Sequence, residues 1–259
     1  MDASLDNDMG CDESISKENN NLSLETGEGY VLFIRESAGT ATVAPDNGDK
    51  RRVVSPRSES RAVRLPQTVS SAGRQARARL RNHAVANGLG ACITLTYREL
   101  PTDPASDLSK YIRDVRKFYS HPMHWASVSE GIEEGSKHRP HHHVLLPLCS
   151  NLHKVASQWT HGDIHVGINV NDASIRCAVN YLSKEFDRES GEGPRFRSSR
   201  GGRPNRVVIH AGSLEEATSV ALSYVPAEID TYTSNFPGIE GRVTFYWETG
   251  LSALDSFPE

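Results

Sequence analysis

The sequence predicts an α+β fold whose sheet is at least partly antiparallel. From residue 89 onward, segments of two-residue hydrophobic alternation are interspersed with segments of helical periodicity, in the order strand, helix, strand, strand, helix, strand, helix. Only a polar loop of hairpin length, residues 131–139, separates the second strand from the third, and loops of that length join antiparallel strands. The order therefore differs from the repeated βαβ units of a doubly wound parallel sheet.

The first strand is predicted at residues 91–97 (ACITLTY), and the breakers in PTDPASD open a helix over residues 106–120. HWASVSE, at residues 124–130, is predicted to form the second strand. PHHHVLLPL, at residues 140–148, is predicted to form the third strand. These two strands flank the polar loop.

Three further elements follow the histidine-rich strand. Residues 151–159 carry apolar side chains at helical spacing, and residues 163–170 (DIHVGINV) alternate as a half-buried strand. Residues 172–189 are predicted to form a helix with Asp172 as its N-cap. Beyond residue 191 the pattern is weaker: strands are indicated at 206–211 and 242–248, with a helix over 213–225 between them.

Charge is segregated along the chain, although the net charge is only −4. Residues 1–29 carry many acidic side chains against the single Lys17, which is typical of a disordered acidic tail. Residues 30–87 form a basic N-terminal extension, in which YVLFIRE resembles an isolated strand. Residues 88–190 hold the compact pattern described above, and residues 191–259 are interpreted as its C-terminal extension, basic at its start.

Arginines dominate two segments, and charge alone leaves open whether they form solvated surfaces or contact nucleic-acid phosphates. The candidate DNA-binding residues are Arg77, Arg79, Arg81, Arg195, Arg197 and Arg200.

The chain is expected to be soluble and cytoplasmic. Its four cysteines have no paired spacing, which argues against a disulfide framework or a cysteine zinc site. No apolar run is long enough to span a bilayer, so no membrane partner is expected.

The segment RPHHHVLLPL places consecutive histidines at the start of a strand. Successive side chains of a strand point to opposite faces, so His141 and His143 share one face while His142 takes the other. Two imidazoles on one face can bind one metal ion, but they leave a divalent ion under-coordinated.

Glu130 is the candidate third ligand, because the hairpin brings the end of its strand beside His141; Glu133 and Glu134 in the loop are reserves. Two histidines and a carboxylate suit Mg, Mn or Zn, and the sequence does not choose among them.

Tyr181 is the candidate nucleophile, and Lys184 its assistant. Tyr181 lies off the apolar stripe of its helix, and Lys184, three residues later, is its neighbour on the helix surface. A free phenol has a pKa of about 10, so a nearby cation favours the phenolate. A metal site beside an activated tyrosine is suited to phosphodiester transesterification.

Three motifs in order resemble those of the HUH endonucleases, specifically the rolling-circle replication initiator (Rep) proteins of small plasmids and single-stranded phages. ITLTY resembles the first motif. SEGIEEGSKHRPHHH resembles the second, with His142 where the family usually has a bulky apolar residue. YLSK resembles the third, and it contains a single tyrosine. The resemblance covers about residues 88–202.

The resemblance implies a central antiparallel sheet flanked by helices, with the histidines on a middle strand and residues 88–190 as the catalytic domain. It implies a divalent ion, Mg or Mn, that polarises a phosphate of single-stranded or stem-loop origin DNA. Tyr181 would form a 5′-phosphotyrosine and release a 3′-OH that primes synthesis by a host polymerase. No Walker A motif is present, so unwinding would require a host helicase.

Two alternatives stay open. One is a single-tyrosine transposase or relaxase of the same superfamily; the position of Tyr181 after the histidines favours an initiator or a transposase over a relaxase. The other is a non-catalytic DNA-binding regulator with the same fold.

Overall fold

The structure is a computed structural model that describes residues 29–46, 66–132, 136, 138–187, 196–224, 230–234 and 242–249. The predicted acidic tail, apart from Gly29, lies outside these ranges, as do Arg195, Glu133 and Glu134. The strands are β1 (Gly29–Arg35), β2 (Thr40–Asp46), β3 (Ala91–Tyr97), β4 (Ala126–Glu130), β5 (His141–Leu146), β6 (Gly162–Ile168), β7 (Arg197–Ser198), β8 (Val207–Ala211), β9 (Asp230–Ser234) and β10 (Arg242–Tyr246). The helices are α1 (Pro66–Ala86), α2 (Pro104–Val115), α3 (Leu152–Ala156), α4 (Asp172–Leu182) and α5 (Leu214–Ser223).

A five-stranded antiparallel sheet with the order β6-β3-β5-β4-β7 forms the centre of the compact segment. The histidine-rich strand β5 is the middle strand of this sheet. The predicted α+β class, with a central antiparallel sheet flanked by helices, is confirmed.

Helices cover both faces of this sheet. On one face, Leu80 of α1 and Val179 of α4 pack with Leu145 of β5. On the other face, Ile112 of α2 and Val155 of α3 join a core that includes strand residues of the opposite parity, among them Ile93, Val144 and Leu146. Because alternate side chains of β5 enter different cores, the face of each histidine is fixed by the neighbouring apolar residues.

The two ends of the described chain meet in a second antiparallel sheet, with the order β8-β1-β2-β10-β9. The YVLFIRE segment lies within β1, where it pairs with β2 on one side and β8 on the other. Leu32 and Ile34 of β1 and Ala217 of α5 lie in the core of this sheet. The sequence predicted β1, β8 and β10 without indicating which sheet they join, and it did not predict β2 or β9.

The second sheet is attached to α4 through a buried polar group. The Asp172 carboxylate, only 1% exposed as a residue, accepts hydrogen bonds from the Thr249 backbone N–H at 2.7 Å and hydroxyl at 2.8 Å. Arg176, one turn later, donates to the Trp247 carbonyl at 2.7 Å. The Glu248 carboxylate in turn accepts from the backbone N–H groups that begin α4, where an anion is favoured.

The N-cap of α4 is Asn171 and not Asp172. The Asn171 side chain accepts from the Ser174 N–H at 2.9 Å, which completes a capping box. The Asp172 side chain instead accepts the hydrogen bonds from Thr249, which follows the second sheet. The helix also ends at Leu182, before a short 3-10 turn over residues 184–187, and is thus shorter than the predicted helix over residues 172–189.

We expect Asp172→Ala to lower the free energy of unfolding by about 3 kcal/mol, because it leaves two part-buried donors of Thr249 without their acceptor and removes the carboxylate that pairs with the guanidinium of Arg176. Asp163→Ala is the control: it breaks an exposed ion pair with Arg139, and such pairs contribute less than about 1 kcal/mol. Chemical denaturation measures both; equal effects would contradict a stabilising role for the Asp172 contact.

Candidate metal centre

Strand pairing brings Glu130, His141 and His143 together. In the β4–β5 hairpin, Glu130 lies opposite His141 and Val128 lies opposite His143. Residues directly opposite each other in an antiparallel pair project from the same face. All three side chains therefore lie on the face covered by α1 and α4, beside Leu145.

The three side chains converge to a spacing that suits one ion. One ligand atom from each lies within 4.8 Å of the others. His141 Nε2 is 3.1 Å from His143 Nε2, and the Glu130 carboxylate oxygens are 3.7 Å from the first and 3.8 Å from the second. Bonds of about 2.1 Å at right angles separate neighbouring ligand atoms by about 3 Å, so small side-chain rotations bring all three to a divalent ion.

The backbone and a threonine fix the orientation of both imidazoles. His141 Nδ1 is 2.7 Å from the Arg139 carbonyl, which only accepts, so Nδ1 carries the proton and Nε2 presents a lone pair. His143 Nδ1 is 3.0 Å from the Thr94 hydroxyl, which can accept from it. Such partners on the far nitrogen are typical of metal-binding histidines.

A glycine after Glu130 makes this arrangement possible. Gly131 has φ +71°, and a Cβ there would lie 2.8 Å from the Arg139 carbonyl oxygen, the group that orients His141. Any larger residue would push the two hairpin arms apart.

The electrostatics of the site also fit a cation. Glu130 Oε1 is buried and has no hydrogen-bond partner among the described residues, although buried polar atoms usually have one. A metal ion would satisfy this oxygen. With one carboxylate as the only anionic member, a bound divalent ion retains a net positive charge that can attract a phosphate.

Burial keeps His143 neutral, as a metal ligand must be. Burial is the main reason that the pKa of His143 falls to about 4, and the charges of His141 and then Lys184 lower it further.

His142 points to the opposite face, as the strand alternation predicted. It is 1% exposed, and its two ring nitrogens lie 2.7 Å from the Ser129 hydroxyl and 3.1 Å from the Tyr97 hydroxyl. Tyr97 donates to Asp107 of α2 at 3.2 Å. Burial lowers the pKa of His142 to about 4. Because it faces away from the candidate ligands and both of its ring nitrogens have partners, it is a packing residue rather than a ligand.

Tyr181 and Lys184 lie at the end of α4, the helix that covers the metal face. Tyr181 is 62% exposed, and the Lys184 ammonium is 4.5 Å from the centre of its ring. Between them, Ser183 is fully buried and accepts from Arg77 Nε at 3.1 Å. Arg77 also donates to the Ser183 carbonyl, so it fixes the end of α4.

The predicted DNA-binding arginines differ in their surroundings. Arg77 contacts Ser183, and Arg81 donates to the Tyr246 hydroxyl at 2.7 Å in the second sheet. Arg79, Arg197 and Arg200 are exposed. Arg197 donates to the Ala105 carbonyl and the Ser109 hydroxyl of α2 at long distances of 3.4 and 3.5 Å. A DNA-binding role stays a prediction for all of them.

The sequence analysis missed the supporting residues Thr94, Gly131 and the Arg139 carbonyl. Thr94 was detectable in part: it belongs to the threonine-rich strand, and once that strand pairs with β5 its parity places it on the histidine face. The Arg77–Ser183 contact carries no sequence signal, because it joins residues 106 positions apart.

Comparison with known families agrees with this geometry. A family model for replication-associated proteins of the ORF2 type matches residues 90–186, which include all the candidate ligands and Tyr181. This match supports a replication initiator of the Rep type. No curated protein and no solved structure matches the chain significantly. Within the described ranges, no helix is both long and apolar enough to cross a bilayer.

Removing a ligand is expected to weaken Mn²⁺ binding more than removing a supporting residue. His141→Ala and His143→Ala should lose more affinity than Thr94→Val, for which the usual loss is about 10–100-fold. Calorimetric Mn²⁺ titration measures this, with the exposed His165→Ala as control, since His165 lies opposite Thr94 on the neighbouring strand. Equal affinity in all four variants would contradict a metal centre at this position.

His142→Leu is expected to separate stability from metal binding. It removes the hydrogen bonds to Ser129 and Tyr97, which should lower the free energy of unfolding by about 1–2 kcal/mol. Mn²⁺ affinity should stay close to the wild-type value, because the side chain faces away from the ligands. Loss of Mn²⁺ binding in a folded His142→Leu protein would contradict the assignment of the faces.

Proposed function

We propose that the protein initiates rolling-circle replication by nicking single-stranded origin DNA through Tyr181. The observation that carries this proposal is the convergence of Glu130, His141 and His143 on the sheet face that is covered by α4, the helix that carries Tyr181 and precedes Lys184. The match to replication-associated proteins spans the same residues.

Glu130, His141 and His143 would hold a divalent ion, Mg or Mn, whose charge polarises the scissile phosphate when it is bound. Three protein ligands alone would not complete the coordination of such an ion, so it could also attract a phosphate oxygen of the DNA. The buried, neutral His143 and the oriented His141 keep the ligand set ready without rearrangement.

Tyr181 would act as the nucleophile. Its phenol loses its proton, Oη forms a bond to phosphorus, and the bond from phosphorus to O3′ breaks. The leaving O3′ takes up a proton, which gives a free 3′-OH and a 5′-phosphotyrosine. The new phosphodiester resembles the broken one in energy, so the same site can rejoin ends by the reverse reaction.

The other tyrosines are less suited to this role. Burial raises the pKa of Tyr97, Tyr111 and Tyr119, which disfavours their phenolate forms. Tyr181 is exposed beside the ammonium of Lys184, which stabilises negative charge on the attacking oxygen and on the phosphate.

Tyr181→Phe is expected to fold, bind Mn²⁺ and bind DNA, yet form no covalent adduct. The test incubates each protein with Mn²⁺ and single-stranded oligonucleotides from the origin region of its replicon, and denaturing gels detect the adduct. Lys184→Ala should slow the reaction without abolishing it, since Lys184 assists and does not attack.

Mass spectrometry of the wild-type adduct should locate the nucleotide on Tyr181. An adduct on Tyr224, the other exposed tyrosine among the described side chains, would move the nucleophile to the second sheet. Cleavage without any adduct would indicate a hydrolytic metal nuclease and contradict the initiator mechanism.

A further inference from the structure

A cavity of about 580 Å³ lies at the end of β4 opposite to Glu130. It is lined by Arg116, His121, Pro122, Met123, His124, Trp125, Ser198, Ser199 and Arg200. Trp125 packs with the core on the α2 face of the central sheet, while Ser198 pairs with Ala126, whose side chain lies in the core on the other face. The cavity therefore lies at the end of the sheet where β4 begins. Its volume lies within the about 300–1,000 Å³ that is typical of small-ligand sites.

The lining combines cations with an aromatic wall. Arg116 and Arg200 are exposed, and neither has an ion-pair partner within the described part of the chain. No acidic residue is among the lining residues, all of which the structure describes. Met123 and the partly buried Trp125 supply apolar surface between these charges. Such a cavity selects a ligand that is both anionic and flat.

Residues 198–200, which form one side of the cavity, are held in place by hydrogen bonds. Ser199 N–H donates to the Trp125 carbonyl at 3.0 Å, and the Ser199 hydroxyl accepts from the Trp125 N–H at 3.2 Å. After Arg200 the chain turns through Gly201 and Gly202, whose φ values are +79° and +62°. Asn87 donates to the Gly202 carbonyl at 2.6 Å, and a Cβ on Gly202 would lie 2.7 Å from His124 Nδ1. The turn is thus closely packed against the site.

We propose that this cavity binds a nucleotide unit, with its phosphate on Arg116 and Arg200 and its base against Trp125. Arginine pairs with phosphate through several N–H donors, and aromatic side chains stack on any base, whichever its sequence. The choice of a nucleotide rests in part on the proposed function, which requires the protein to hold DNA beyond the scissile phosphate.

The position of the cavity indicates what it does not bind. Trp125 and Glu130 are five strand positions apart, or about 16 Å at about 3.3 Å per residue. At about 3.4 Å per stacked nucleotide, this distance corresponds to about five stacked nucleotides between the cavity and the candidate metal centre. The cavity binds flanking DNA or a free nucleotide, not the reacting group.

The test measures binding without divalent ions, in a Tyr181→Phe background, so that its outcome is independent of cleavage. Fluorescence anisotropy with a labelled single-stranded oligonucleotide forms one arm, and calorimetry with ATP forms the other. The double variant Arg116→Gln/Arg200→Gln is expected to bind about tenfold more weakly in at least one arm. Arg113→Gln, in the last turn of α2 and three residues before Arg116 but outside the cavity lining, should have no effect.

The two arms distinguish the source of the nucleotide. Weakened oligonucleotide binding, with no ATP binding by the parent protein, assigns the site to a DNA strand. The slope of log affinity against log salt should then fall by about 0.7, for the one single-strand phosphate contact that is lost. Weakened ATP binding assigns it to a free nucleotide. Unchanged binding in both arms, or equal weakening by Arg113→Gln, overturns the proposal.

Trp125→Leu provides a second measurement. It removes the flat ring but keeps apolar volume, and thermal melting verifies that the variant folds. A loss of about fivefold or more in the arm affected by the arginine variants supports base stacking. Wild-type affinity in a folded Trp125→Leu protein overturns the assignment of the base to Trp125. Failure to form a covalent adduct, by contrast, would contradict only the proposed nicking mechanism.

Discussion

The pairing register of β5 with its two neighbours is the constraint on which the candidate site depends. In this register Glu130 lies opposite His141, and Thr94 lies opposite His143. A slip of one residue on either side would move a ligand or its supporting hydroxyl to the other face. The apolar residues Val144, Leu145 and Leu146 oppose such a slip, because alternate members are buried in different cores.

The same register explains why three consecutive histidines have different roles. His141 and His143 lie on the same face of β5 as the buried Leu145. They are nearer the end of the strand, where their side chains can reach a metal ion. His142 lies in the other core, where Ser129 and Tyr97 satisfy both of its nitrogens. A bulky apolar residue would also fill that position. The polar imidazole is tolerated there because both of its nitrogens form hydrogen bonds.

Local sequence patterns were enough to predict the central sheet. They could not predict pairs of strands that lie far apart in the sequence. The alternation of 91–97 and the short hairpin loop specify β3 and the β4–β5 pair from neighbouring residues alone. By contrast, β1 pairs with β8, so Leu32 and Ile209 are partners that no local signal connects. The N-cap error has the same origin: both Asn171 and Asp172 are good caps, and the contact from Thr249 decides between them.

The positions of the candidate ligands were predictable because strand parity is a local property, whereas the placement of the helix end beside them depends on distant residues. Arg77 reaches Ser183 across the α1–α4 interface, and this contact fixes the helix end between Tyr181 and Lys184. An exposed nucleophile on a frayed helix end would sample many positions, and a misplacement of about 1 Å can cost about 100-fold in rate. Arg77 belongs to a basic segment whose role charge alone left open, and its contact with Ser183 gives it a direct structural reason to be present. Its contribution to the proposed nicking reaction is to hold the nucleophile's helix against the sheet that carries the metal ligands.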